Sequence, residues 1–467
     1  MRSIDRRLTR RYRRRMISIP RRVKRFARVF SEAQYELSVV GGAVRDSVLG
    51  RRVSDYDFAT SATPQEVQQL FRATIPTGIQ HGTVTVLFEG HHFEVTTYRM
   101  DGGYQDHRRP DSVTFTRSLE EDLMRRDFTI NAIAADPLTG KLTDPHHGQQ
   151  DLQRRVLRTV GDPNQRFGED ALRMIRAIRF ATTLDFEIHA DTFAAIAPRR
   201  EEISAVASER ILLELSKMMA AATPSKGWRL LNESTLLSLI APELLEYESI
   251  SEAGDPQEHV LRGLFDHLVT SCDCAPKEDE VLRWAALLHD VGKPRCLAYD
   301  ERGAHFHGHD ETSAEMAADL LLRLRASRRL IDSVAHLIRH HMFGVTGESS
   351  DAALRRFVSR VGAAAALPLV TLRRADICGK IGSPPSDRTL NQLERRIESA
   401  IRDDAALTVR AFALNGRDLM PALALDPGAH VGTVLQAQLS SVLDDPEMNT
   451  RDALLEIARR FTESRLR

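Results

Sequence analysis

The spacing of hydrophobic and polar residues changes character once along this chain, near residue 151. Between Leu37 and about Pro145, short β-like runs alternate with helical ones. "LSVVGGAVRDSVLG" (37–50) reads as an apolar strand, a Gly-Gly turn and a helix. "TPQEVQQLF" (63–71) opens with Thr63, Pro64 and Glu66, a capping box with proline at the first helical position. "TVTVLFEGHHFEVTTYR" (83–99) alternates on both sides of Gly90 and predicts a hairpin. In its second strand Phe93 and Val95 face one way, Glu94 and Thr96 the other. Beyond Asp151 the β signals fade and helical periodicity continues to the end. The expected fold class is α+β: a head with a mixed β-sheet and helices, then all-α regions. Expected segments are a basic disordered extension (1–28), the head (29–150), a helical neck (151–225), a helical body (226–385) and a helical tail (386–467). The weaker breaks rest on Pro224, "AGDP" (253–256) and "GSPPSD" (382–387).

At 467 residues the chain exceeds one ordinary core, so about two to four domains are expected. Zero formal net charge excludes a uniformly basic nucleic-acid coat but leaves room for a local basic face. No apolar run approaches the length of a membrane span, and no membrane partner is expected. Cys272, Cys274, Cys296 and Cys378 suggest no disulfide framework, fit a reducing cytosol and read as structural thiols. Residues 1–26 are packed with arginine and carry Asp5 as their sole acid. We read them as a solvated tail, with a basic arm on RNA, an organelle transit peptide or a start at Met16 as alternatives.

The candidate chemistry of the first half begins with "VSDYDFAT" (53–60). Asp55 and Asp57 fall one residue apart in a run that reads as a strand, on one face and about 6.6 Å apart along it. Like charges so placed disfavour joint ionisation. Either this is a turn, where Asp is common, or a divalent cation sits between the two carboxylates. Gly41 and Gly42 would let backbone N–H groups approach a phosphate at a helix amino terminus. Arg45, one turn into that helix, would clamp a phosphate oxygen; a plain tight turn is the alternative. Glu94 offers a third carboxylate across the sheet, or a solvent-facing strand residue. Three carboxylates beside a phosphate-binding turn fit two-metal nucleotidyl transfer with Mg²⁺. Farther on, Asp170, Arg173, Arg176 and Arg179 recur at every third position of a helical run. Such a stripe is a solvated face, or a carboxylate and guanidinium set that hydrogen-bonds a base edge.

In order along the chain, "GGAVRD", "SDYDFAT", "RRDFTINAIA", "RFGEDALRMIRAIRFA" and "ASERILLEL" resemble the successive motifs of the class II tRNA nucleotidyltransferases, the CCA-adding enzymes and their bacterial poly(A) polymerase relatives. The resemblance covers about Pro20 to Leu215. It implies a nucleotidyltransferase head in which Asp55 and Asp57 hold catalytic Mg²⁺ and Glu94 matches an acidic position. It further implies that Gly41, Gly42 and Arg45 contact the nucleoside triphosphate, and that Arg126 with Asp127 binds the nucleotide and its ribose. Asp170 and Arg173 would act as a protein template for CTP or ATP, supported by Arg176 and Arg179. "DGGYQDHRRP" (101–110) resembles the loop that helps switch specificity from C to A. The carboxy-terminal "ALNGRDLMPALALDPGAHVGTVLQ" resembles the family's tRNA-supporting tail, with Arg410 and Arg417 as phosphate contacts.

A second constellation lies between residues 267 and 376: His267, "LLHDVGKP" with His289 and Asp290, "HFHGHDET" with His309, "IRHHMF" with His341 or His340, and "RRADICGK" with Asp376. Adjacent His and Asp supply imidazole and carboxylate to a mixed N/O metal site. The pattern resembles an HD domain of metal-dependent phosphohydrolases. That implies His267, His289, Asp290 and Asp376 as ligands of a second divalent metal (Mn, Mg, Ni or Fe), with His309 and His341 in the extended set. The alternative is a helical support for RNA binding. Together these readings predict CCA addition to tRNA from CTP and ATP. Rivals are a poly(A) polymerase, a CC- or A-only enzyme, an HD phosphohydrolase with an RNA-binding head, and a non-catalytic RNA-binding protein.

Overall fold

The alternating runs of the first half do assemble into one sheet. The computed structural model describes residues 17–102, 113–251, 261, 263–301, 303–383, 388–402 and 408–465. It divides into two compact units, one ending at Pro242 and the other beginning at Glu243. In the first, strands β1 (Leu37–Val40), β2 (Asp57–Thr60), β3 (Thr74–Gly78), β4 (Thr83–Phe88), β5 (His91–Thr97), β8 (Ala134–Ala135) and β9 (Leu142–Thr143) form a sheet in the order β3-β4-β5-β2-β1-β8-β9. β6 (Arg99–Asp101) and β7 (Val113–Phe115) pair separately. β2 and β5 run parallel while the other neighbours are antiparallel, which makes the sheet mixed as expected.

Local chemistry explains these elements. β1 is buried along its whole length, and Gly41 follows it at φ 69°, a conformation that glycine adopts without strain, to start the helix Gly42–Leu49. The β4–β5 turn passes through Glu89 and Gly90, both at positive φ, which matches the twist of the flanking strands. Thr63 and Glu66 make the reciprocal capping box at the start of Pro64–Leu70.

The expected disordered extension to residue 28 is corrected by a helix, Arg21–Glu32. Val23, Phe26, Ala27 and Phe30 recur at helical spacing and are buried. Phe26 packs on Phe58, Phe93, Phe71 and Phe88 at ring separations of 4.6–5.4 Å. Each such pair adds about 0.5–1.5 kcal/mol beyond area burial. The arginines hid an amphipathic helix. Residues 1–16 lie outside the described residues.

Two further expectations are corrected. The break expected at 225 falls inside the helix Pro224–Glu233, whose Trp228 and Leu231 are buried and which packs on Leu172–Leu184. The stretch read as all-α contains a parallel pair, β10 (Val156–Leu157) with β11 (Glu187–Ile188), too short to leave a period-two signal.

The second unit is mainly helical. Leu264–Cys274 packs against Ala363–Ile381, and His309–Arg323 against Arg328–Arg339. One hairpin, β12 (Ala298–Asp300) with β13 (Gly303–His305), interrupts the helices. Near the end, Gly416–Leu423, Ala429–Asp444 and Arg451–Arg465 share a small core around Leu414, Leu419, Val434 and Leu454. Cys274 and Cys378 are disulfide-bonded with Cα atoms 6.2 Å apart, which corrects the expectation that the cysteines are structural thiols with no disulfide framework. They lie 104 positions apart, and only the pairing of their two helices brings them together. Among the described residues no helix is long and apolar enough to cross a membrane.

Candidate active site

β2 begins at Asp57, so Asp55 stands just before the strand rather than inside it. The alternation still holds. Tyr56 between them is buried, while both aspartates are exposed and line one cavity. Across the sheet Asp57 is in register with Glu94, and Glu94 with Thr85. Phe58 and Val95 point to the core face and leave the acids on the other. Although Asp57 is open to the cavity, desolvation by the strands around it raises its carboxyl above the ordinary pKa, Glu94 and Asp55 push the same way, and Arg126 opposes them. Oxygen donors that repel one another in this way fit a hard divalent cation that keeps several waters.

Beside the acids lies the glycine turn. A Cβ on Gly41 would sit 3.5 Å from Arg126 Nη1. Asp122, fully buried, accepts hydrogen bonds from Arg125 Nη2 (2.7 Å) and Arg126 Nη2 (3.1 Å) and so orients both arginines. Arg45 donates from Nε and Nη2 to the two carboxylate oxygens of Asp46, each at 3.0 Å, and from Nη1 to Asn131 at 2.9 Å. Asp127 accepts from Arg176 Nη2 (2.6 Å), Asn131 Nδ2 (3.1 Å) and the Phe128 amide (2.8 Å). Burial alone would raise its pKa, but Arg176 and Asn131 bring it down to about 2.

The charged stripe of the Leu172–Leu184 helix is not a solvated face. Arg179, 9% exposed, donates to Glu214 at 2.8 Å and stands 3.4 Å over the Phe180 ring. Arg176 joins Asp127 to Glu214. Arg173 donates to the Arg166 carbonyl at 3.0 Å and pairs with Glu169. Asp170 accepts from Arg210 Nη2 at 2.8 Å. Each member thus has its own partner.

In the second unit the expected ligands do converge. His267, His289, Asp290 and Asp376 form one group whose ligand atoms lie within 4.8 Å of one another, and Asp290, His309 and His341 form another that shares Asp290. The head acids are not gathered as closely. His267 Nε2 and His289 Nε2 are 3.2 Å apart and both face Asp376 Oδ1, at 3.2 and 3.3 Å. His309 Nε2 faces Asp290 Oδ1 at 3.2 Å. His289, His309 and His341 each turn Nδ1 to a backbone carbonyl, of Ala286, Phe306 and Ile338, which leaves Nε2 as the inward atom. Burial lowers the His289 pKa, but Asp290 and Asp376 outweigh it and raise it to about 10. A site that would otherwise hold a proton between imidazoles and carboxylates fits a cation. His340 does not replace His341; it packs on His336.

Profiles of three families match in order: "Poly A polymerase head domain" over residues 37–158, "Probable RNA and SrmB- binding site of polymerase A" over 185–248, and "HD domain" over 257–379. The CCA-adding enzyme of Lactiplantibacillus plantarum is 35% identical over 433 residues, which cover 93% of this chain and 94% of that one. The chain belongs to the CCA-adding enzyme family. The family member from Pediococcus pentosaceus is 50% identical over 196 residues, so there the chain spans about half the relative's length, 49%, and 42% of its own. The crystal structure of the Bacillus stearothermophilus CCA-adding enzyme in complex with CTP superposes with a TM-score of 0.74 at 28% identity, covering 95% of this chain and 98% of that one.

Within this CCA-adding family frame, sequence reasoning missed Asp122, Asn131, Glu169, Arg210 and Glu214. Arg210 and Glu214 left a readable signal, one helical turn apart in "ERILLEL", a spacing that shares a helix face. Asp122 left none beyond an acidic run. Residues 103–110 of the expected specificity loop lie outside the described residues.

Proposed function

We propose that this chain adds C, C and A to tRNA 3′ ends from CTP and ATP and releases pyrophosphate without a nucleic-acid template. The observation that carries the reading is the register of Asp57 with Glu94, beside the Gly41 turn and the Arg126 that flanks it. Match to a relative across 93% of the chain supports it. In the reaction the RNA 3′ oxygen forms a bond to the α-phosphorus, and the bond from that phosphorus to the pyrophosphate oxygen breaks. Asp55 and Asp57 would hold Mg²⁺ with Glu94 adjacent, and the bound ions would acidify the attacking hydroxyl and neutralise the leaving pyrophosphate. Backbone N–H groups at Gly41 and Gly42, with Arg126, receive the triphosphate. Arg45, braced by Asp46 and Asn131, holds the first turn of the helix that frames this cradle. Asp170 and Arg173 read the base edge, with Arg210 fixing Asp170 and Glu169 fixing Arg173. Arg176 and Arg179 lock the helix beneath them through Asp127 and Glu214. The reaction belongs in the cytoplasm, where tRNA is matured.

Extension of a tRNA stripped of its terminus, with CTP and ATP supplied singly and together, tests this. Two C additions with CTP and a final A only when both are present are expected. Long A tracts without CTP use would favour a poly(A) polymerase, and arrest after CC or inability to use CTP a partial enzyme.

The shared Asp290 between two close ligand groups favours a second activity, metal-dependent hydrolysis of 2′,3′-cyclic phosphates or phosphorylated RNA ends. Mixed N/O ligands suit Mn²⁺, Ni²⁺, Fe²⁺ or Mg²⁺. Metal analysis and a cyclic-phosphate assay check it; a chain that binds no divalent ion there loses this reading.

A further inference from the structure

The cavity that holds the head acids continues away from the glycine turn. It measures about 520 Å³, and its lining passes from Asp55, Asp57 and Glu94 to Thr85, His91 and Arg22. Arg22 differs from the other arginines near the site. Arg25, on the same helix, pairs with Glu89, and Arg45, Arg126, Arg173, Arg176 and Arg179 each have a carboxylate partner. Arg22 has no carboxylate partner among the described residues. Its Nη1 lies 3.5 Å from His91 Nε2, and its Nε is buried with no hydrogen-bond partner. Its backbone position is set by packing, because Val23 and Phe26 beside it are fully buried. A guanidinium held in a cleft, partly withdrawn from water and ion-paired with none of the described carboxylates, is a receptor for a planar oxyanion.

Reaction geometry says which oxyanion. In-line displacement puts the attacking hydroxyl and the leaving pyrophosphate on opposite sides of the α-phosphorus. The sheet order β5-β2-β1 places the glycine turn, which follows β1, on one side of Asp57, and His91 of β5 on the other. Arg22 shares the second side with His91. We propose that Arg22 binds a backbone phosphate of the RNA strand whose 3′ end attacks, and so positions the acceptor opposite the triphosphate. This rests on the tRNA-extending reading given above, and it assigns the basic residue that the sequence alone placed in a solvated tail.

The test is steady-state extension of a tRNA lacking its terminus by Arg22→Ala and Arg22→Lys proteins. Arg22→Ala should raise KM for tRNA by about 5–20-fold, the loss of one charge-assisted phosphate contact. kcat, KM for CTP and the melting temperature should stay within error of the parent. Arg22→Lys should recover most of the affinity. The slope of log KM for tRNA against log salt should fall by about one for Arg22→Ala. An unchanged KM for tRNA in Arg22→Ala, when the parent protein extends tRNA, overturns the inference and spares the function. A raised KM for CTP instead would place Arg22 on the triphosphate and also overturn it. A parent protein that extends no tRNA removes both together.

Discussion

Asp55 and Asp57 at the start of β2 and Glu94 in the middle of β5 are exposed oxygen donors on one cavity wall, whereas His289 and Asp290 are 1% and 2% exposed and sit within 4.8 Å of their fellow ligands. The head site is open, all-oxygen and flanked by arginines that belong to a second, ordered network. The second-unit site is closed and mixed in donor type, and its imidazoles are aimed by carbonyls behind them. On the proposed function, the difference follows from what each would hold. Mg²⁺ shared with substrate phosphates needs only one or two fixed carboxylates and room for the rest. A metal held by protein alone needs its ligands converged beforehand, at the expense of burying charge that only a cation or protons can balance.

Several substitutions would break or sharpen this contrast. Asp55→Asn or Asp57→Asn should lower nucleotide addition by about 10³-fold or more and leave metal in the second unit untouched; extension assays beside metal analysis check both halves. His289→Ala should do the reverse, emptying the second-unit site while tRNA extension stays within about twofold. Equal loss of extension would mean the two sites are not independent.

Asp127 tests the network rather than either metal site. Its pKa is depressed in the folded state, so its stabilisation is present above the ordinary carboxylate pKa and is lost as pH falls from about 3.8 to about 2. It contributes about 2 kcal/mol at neutral pH. Acid unfolding followed by circular dichroism should show that dependence, and Asp127→Asn should flatten it. Gly41→Ala should destabilise the protein by about 1 kcal/mol, since φ 69° strains any side chain, and should raise KM for nucleotide more than KM for tRNA. The smallest effect is expected from His340→Ala, which should leave the metal content of the second unit unchanged because His340 packs on His336 outside the ligand groups.

Much of this architecture was legible beforehand because it is local. The capping box at Thr63, the Gly90 hairpin, the exposed side of β5 and the Gly41 turn depend on residues within a few positions of one another. Motif order along the chain identified the family, and the His-Asp pair marked the second site. The miscalls were of the opposite kind. The helix at 21–32 escaped because composition outweighed an apolar spacing that only a packed sheet face rewards. The stripe at 170–179 left two readings open, a solvated face or a base-reading set, because its partners Asp127, Arg210 and Glu214 come from elsewhere in the sequence.

From the sequence by itself came the kinds of group available and the short-range conformations that present them: turns, caps, strand faces and adjacent ligands. Tertiary structure decided which charge meets which. It matched Asp57 to Glu94, gave Arg176 and Arg179 their carboxylates, left Arg22 without one among the described residues and joined Cys274 to Cys378. The reason is physical: local conformation is set by neighbours a few bonds away, while the pairing of buried charge is settled only when distant elements pack and exclude water.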